Sequence, residues 1–130
     1  MMKQTILIVE DDEHIVKALE LRLRAKDYGI EVAYDALMGM QKAMGHPPSL
    51  ILLDITMPGG NGLRLAERLK ESSKTMDIPI IFLTASKQAD LRQNALSLGA
   101  TAFFEKPYDF EELHATIKAA ILHPNICLTS

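Results

Sequence analysis

Residues 5–26 read TILIVEDDEHIVKALELRLRAK, and this stretch decides the fold. Thr5 to Val9 form a continuous near-apolar run rather than an alternation, which fits a strand buried on both faces. Beyond it, Ile15, Leu19 and Leu23 fall on one stripe at helical spacing, with Val16 and Ala18 beside it. Between the two halves stand Glu10, Asp11, Asp12 and Glu13, where like charges repel. An acidic helix start is one account of them, because carboxylates in a first helical turn meet the positive end of the helix dipole. A cation site is the other, and residues far along the chain must choose.

The strand-then-helix pattern recurs. IEVAY (30–34), LILLDI (50–55), IPIIFLT (78–84) and TAFF (101–104) predict four further strands. Helical spacing over 13–26, 36–45, 62–71, 87–98 and 109–122 predicts a helix after each strand. Strict alternation implies a parallel sheet covered by helices on both faces, because parallel neighbours need crossover connections, and these are right-handed. Gly29, Gly45 with Pro47 and Pro48, and Gly99 punctuate the helix ends. Residues 1–122 are expected to form one domain, and 123–130, HPNICLTS, to be a tail or the start of a linker.

Composition excludes several function classes. A chain of 130 residues that is 48% hydrophobic can build one packed core. A net charge of −3 with acids and bases interspersed leaves no basic footprint, so neither nucleic acid nor a membrane surface is an expected partner. No apolar run approaches the roughly 20 residues needed to span a bilayer. Cys127 is the single cysteine and cannot close an internal disulfide, and the N-terminus lacks a signal-peptide pattern, so the expected setting is cytoplasmic. His14, His46, His114 and His123 have no metal-ligand spacing and read as surface or structural residues.

Ligands of open parallel sheets collect outside the carboxyl ends of the strands. That rule selects Asp11 and Asp12 after strand one, Asp54 in strand three, Thr84 ending strand four, and Lys106, followed by Pro107, after strand five. Because strand side chains alternate, Asp11 and Asp12 share one centre only if the strand stops near Val9 or Glu10. Clustered carboxylates without thiolates or paired histidines suit a hard cation, Mg²⁺ first and Mn²⁺ as its substitute. Such an ion leaves positions open for phosphate oxygens, and Lys106 is a compact charge suited to the same ligand. Asp54 follows the apolar run LILL and precedes MPGGNG, which makes it the expected nucleophile, since carboxylates form acyl phosphates. Thr84 is expected to donate its hydroxyl to a phosphoryl oxygen.

VEDDE, LLDITMPGGNGL, IIFLTA and FFEKP, in this order, resemble the successive signatures of the receiver domain of two-component response regulators, over roughly residues 4 to 122. The resemblance implies an α/β flavodoxin-like, doubly wound (βα)5 three-layer sandwich with strand order 2-1-3-4-5. It implies that Asp54 is the phosphoacceptor, that Asp11 and Asp12 are the acidic pair holding Mg²⁺, and that the Thr56 backbone carbonyl is a further metal ligand. Thr84 takes the place of the switch hydroxyl and Phe103 that of the switch aromatic. Lys106 takes the place of the invariant lysine, typically joined to the following proline, here Pro107, by a cis bond. The implied function is to accept a phosphoryl group from a sensor histidine kinase or histidine phosphotransfer protein. The surface of the fourth helix, fifth strand and fifth helix then changes, signalling to a downstream effector protein or a C-terminal output domain, with homodimerisation on phosphorylation in view.

On this reading the chain is a signalling domain and not a turnover enzyme. Three other readings compete. A degenerate receiver would serve only as an interaction module, which the intact set of site residues argues against. A phosphatase of the haloacid dehalogenase type also uses a strand-end aspartate, but needs a second Asp two residues on, where this chain has Thr56. A flavin-binding relative needs a phosphate loop after strand one, and EDDEH would repel that phosphate.

Overall fold

The computed structural model describes residues 3–57, 60–87, 89–124 and 126–128, with Gly60 and Asn61 described in their backbone only. The sheet consists of β1 (Thr5–Val9), β2 (Gly29–Ala33), β3 (Leu50–Asp54), β4 (Ile80–Thr84) and β5 (Ala102–Glu105). The helices are α1 (Glu13–Ala25), α2 (Ala36–Gly45), α3 (Gly62–Glu71), α4 (Ala89–Ser97) and α5 (Phe110–Leu122). All neighbouring strands are parallel, in the order β2-β1-β3-β4-β5, so the expected doubly wound fold and strand order are found. A separate antiparallel ladder pairs Thr56–Met57 with Gly60–Asn61 in the connection from β3 to α3. No helix among the described residues is long and apolar enough to cross a membrane.

The period-two alternation of the strands divides the core into two layers. Leu7, Val9, Ile51, Leu53, Ile80 and Phe82 point to one face and pack with Ala43 of α2, Leu65 and Leu69 of α3 and Ala95 of α4. Ile6, Ile8, Leu50, Leu52, Ile81 and Leu83 point to the other and pack with Leu19 and Leu23 of α1 and Leu113 and Ile117 of α5. Both faces of the sheet are therefore covered, which is why the strands read as continuous apolar runs. The adjacent Phe103 and Phe104 split between the two layers, as strand geometry requires.

Element ends differ from the expected ones by a residue or two, each for a local reason. β4 begins at Ile80 rather than 78, since Pro79 has no N–H for the ladder; its carbonyl still accepts from Ile51 N at 3.0 Å. α1 ends two residues before the left-handed Asp27 (φ 71°), with Tyr28 N donating to Leu23 O at 3.2 Å and Asp27 N to Arg24 O at 3.0 Å. This is a Schellman closure made by Asp27, not by the glycine at 29, which instead opens β2. α4 closes the same way with Gly99 (φ 88°), where Ala100 N meets Ala95 O at 3.2 Å. His114 stacks on Phe110 with ring centroids 6.2 Å apart and meets the edge of Tyr28 at 5.8 Å, a structural use of a histidine.

Candidate functional site at the carboxyl edge of the sheet

β1 stops at Val9, as two adjacent carboxylates near one centre require. Glu10 keeps one strand-like bond, its N–H donating to Ala33 O at 3.0 Å, and its side chain is turned into the protein at 3% exposure. Glu10, Asp11 and Asp54 each bring a carboxylate oxygen within 4.8 Å of the others, an arrangement in which all three can offer an oxygen to one ion.

This corrects the expected acidic pair by one position. Among the described residues the acidic group contains Glu10 and Asp11, not Asp11 and Asp12. The Asp12 carboxylate instead accepts from His14 N at 2.9 Å and Ile15 N at 3.3 Å, as the N-cap of α1. The physical reason lies in where the strand ends. The first two residues beyond β1 face the carboxyl edge, and the third already belongs to the helix start. Sequence reasoning assigned Glu10 no role, although a carboxylate directly after the last residue of a buried strand was the available signal. Glu13 occupies the first turn of α1, where the helix dipole favours an acid.

Asp54 is the last residue of β3 and is 5% exposed. Its Oδ1 accepts from Thr56 N at 3.2 Å, and its Oδ2 lies 4.0 Å from Lys106 Nζ. Lys106 Nζ donates to Glu10 Oε1 at 2.7 Å, and Glu10 Oε2 accepts from Asp12 N at 3.2 Å. One buried glutamate thus ties the lysine after β5 to the cap of α1. Lys106 is itself held by its N–H donating to Thr84 O at 2.7 Å and by a cis peptide bond to Pro107, as the resemblance implied.

Among the described residues the charges are unbalanced around this centre: three carboxylates face the Lys106 ammonium. Desolvation, then the hydrogen bond and charge of Glu10, hold the Asp11 carboxyl above its ordinary range. Tyr108 is pushed up to about 12, by burial first and then by the Glu10 charge, so it is a neutral phenol beside the site. A divalent cation would relieve the repulsion among the acids, and its donor set would be all oxygen.

Thr84 ends β4 fully buried, and its hydroxyl oxygen accepts from Ser86 N at 3.0 Å. In the β3–β4 ladder Asp54 is paired with Leu83, which places Thr84 one residue further along the same edge. Phe103 is opposite Phe82 in the β4–β5 ladder, buried in the core layer of α2, α3 and α4, with the Arg92 guanidinium 5.7 Å from its ring centroid. The structure therefore gathers Asp11, Asp54, Thr56 and Lys106 at one centre, sets Thr84 beside it, and leaves Asp12 as a cap.

The family model for the response regulator receiver domain matches residues 6–118. The response regulator ArlR of Staphylococcus aureus is 37% identical over 116 residues, covering 89% of this chain and 52% of that protein. The chain thus spans about half the length of the curated relatives it matches. A CheY-like response regulator receiver domain protein from Methanospirillum hungatei superposes with a TM-score of 0.89 at 27% identity, covering 95% of this chain and 97% of that one. The receiver domain of a sensor histidine kinase of Pseudomonas aeruginosa, solved with a magnesium ion coordinated in its active site cleft, superposes with a TM-score of 0.85 at 27% identity, covering 92% of this chain and 98% of that one. With its fold, its acidic edge and its sequence in agreement, the chain belongs to the response regulator receiver domain family.

Proposed function

We propose that this receiver accepts a phosphoryl group on Asp54 in a Mg²⁺-dependent reaction, from a histidine kinase or a histidine phosphotransfer protein. The observation that carries the reading is the buried Asp54 carboxylate, grouped with those of Glu10 and Asp11 and lying 4.0 Å from the Lys106 ammonium. Glu10, Asp11, Asp54 and the Thr56 carbonyl are the residues that would hold the ion. When bound, Mg²⁺ supplies positive charge against the oxygens of the transferring phosphoryl group.

The chain's own residues do the rest. Thr56 N–H fixes Asp54 through Oδ1, which orients the carboxylate for in-line attack on a phosphorus delivered from the open edge of the sheet. The new O–P bond replaces the P–N bond of the donor's phosphohistidine, whose imidazole leaves. Lys106 moves from its bond with Glu10 toward the new phosphoryl oxygens, since an ammonium on a flexible stem can change partners. Thr84 accepts from Ser86 N and keeps its own proton to donate, so it can close on the phosphoryl group. Movement of Thr84 changes the packing beside Phe103, two strands' ends from Asp54, and biases the α4–β5–α5 surface toward its second state. That surface then addresses the downstream effector protein or output domain. Thr56, two residues after Asp54, offers no acid to protonate a leaving group, which supports a signalling role over a turnover enzyme.

The test is intact mass after incubation with a small phosphodonor and Mg²⁺. The wild type is expected to gain one phosphoryl group and Asp54→Asn none. No gain on the wild type, or equal gain on both, defeats the reading.

A further inference from the structure

We infer that Gly62 is a positioning residue for the carboxylate site, an inference that rests on the phosphoacceptor reading of Asp54. Gly62 opens α3, and its N–H donates to Ile55 O at 2.8 Å. This bond closes the connection that begins at Ile55 and contains the antiparallel pairs Thr56 with Asn61 and Met57 with Gly60. Thr56 sits inside that closed loop, and its N–H holds Asp54 Oδ1 at 3.2 Å.

The closure is tight. A Cβ on residue 62 would overlap the carbonyl oxygen of Asp54, with Ile55 Cα at 3.0 Å and the Asp54 carbonyl carbon at 3.1 Å. All three neighbours are backbone atoms of Asp54, the last residue of β3, and of Ile55 just after it, which cannot turn aside as a side chain can. Any side chain at 62 must therefore push α3 off the backbone of Asp54 and Ile55. The loop that carries Thr56 then loses its base. Helix propensity alone would favour alanine at a helical position, so only the close approach asks for glycine here.

Gly39 of α2 provides the control. A Cβ there would meet Val9 Cγ2 and Leu65 Cδ2, both at 3.2 Å, which are ends of side chains that can give way. Alanine at 39 disturbs packing within a core layer, whereas alanine at 62 displaces the backbone that carries the site.

The experiment compares wild type, Gly62→Ala and Gly39→Ala by Mn²⁺ titration followed by electron paramagnetic resonance, with thermal unfolding measured in the absence of metal. Gly62→Ala is expected to lose roughly 10- to 100-fold in Mn²⁺ affinity, the range seen when groups supporting metal ligands are removed. Gly39→Ala is expected to bind within about 2-fold of wild type even where its unfolding temperature falls, since the cost of core crowding is paid in packing rather than at the ligands. Wild-type affinity in Gly62→Ala, or equal losses in both variants, overturns the inference. No Mn²⁺ binding by the wild type overturns the phosphoacceptor reading beneath it as well. Should Gly62→Ala fail to fold, amide exchange of the wild type decides: Mg²⁺ is expected to slow exchange at Gly62 and Thr56 together and leave Gly39 unchanged. Slowing at Thr56 without Gly62 overturns the inference.

Discussion

Two helix starts in this molecule look alike and do different work. α5 begins with Asp109 accepting from Glu111 N at 3.1 Å, and Glu111 and Glu112 stand in its first turn. α1 begins with Asp12 accepting from His14 N and Ile15 N, and Glu13 stands in its first turn. Both obey the ordinary rule for an acidic helix start. What separates them lies just upstream. Before Asp12 come Glu10 and Asp11, whose carboxylates meet Asp54, whereas before Asp109 come Pro107 and Tyr108. The acidic run at 10–13 is thus two devices in series: two residues for the site, then two for the helix.

Asp54→Asn should abolish phosphoryl uptake, read as intact mass, because it removes the carboxylate proposed to attack phosphorus. Asp109→Asn should leave uptake at the wild-type level.

Asp11→Asn should weaken Mg²⁺ binding about 10- to 100-fold, while Asp12→Asn, which still caps and removes only a neighbouring charge, should lose far less. Thermal shift reads this directly. At Mg²⁺ a hundredfold above its Kd the native state gains about 2.7 kcal/mol, and Asp11→Asn should lose about 1.3 to 2.3 kcal/mol of that gain. Equal loss in Asp12→Asn would restore the pair at Asp11 and Asp12.

Glu10→Gln should lower stability by about 1–3 kcal/mol without metal, measured by urea unfolding, since it takes the charged partner from a half-buried lysine. Asp54 lies 4.0 Å from the same ammonium and keeps the loss from being larger. Capping effects come next. Asp12→Ala and Asp109→Ala should each cost about 0.5–2 kcal/mol, because each removes a side-chain cap, with the Asp12 loss partly offset by relief of its repulsion with Asp11. A much larger loss at Asp12 would mean that it does more than cap. Last, Asp27→Gly should raise stability by about 1 kcal/mol or less, since glycine adopts the left-handed conformation without steric cost. The exposed pair of Lys3 with Asp27 at 3.6 Å contributes little against that gain.

The sequence alone determined the five strands, the five helices and their alternation, because each rests on periodicity within one short segment. Leu50 to Leu53 could only be a strand buried on both faces, and Ile15, Leu19 and Leu23 only one side of a helix. The edge that carries the site was legible too, since it follows from where parallel strands end. Asp54 and Lys106 follow from that rule alone.

Only the tertiary structure decided which acids share the centre. Glu10 and Lys106 are 96 positions apart and 2.7 Å apart in space, and no local pattern reports that pairing. Direction mattered as well as proximity. Whether a carboxylate faces the sheet edge or turns back onto a helix N-terminus depends on the residue at which the strand ends, and a shift of one residue exchanges the roles of Glu10 and Asp12. The close seat of Gly62 on the backbone of Asp54 was equally invisible, since a glycine in MPGGNG reads as turn chemistry until the atom it must avoid is known.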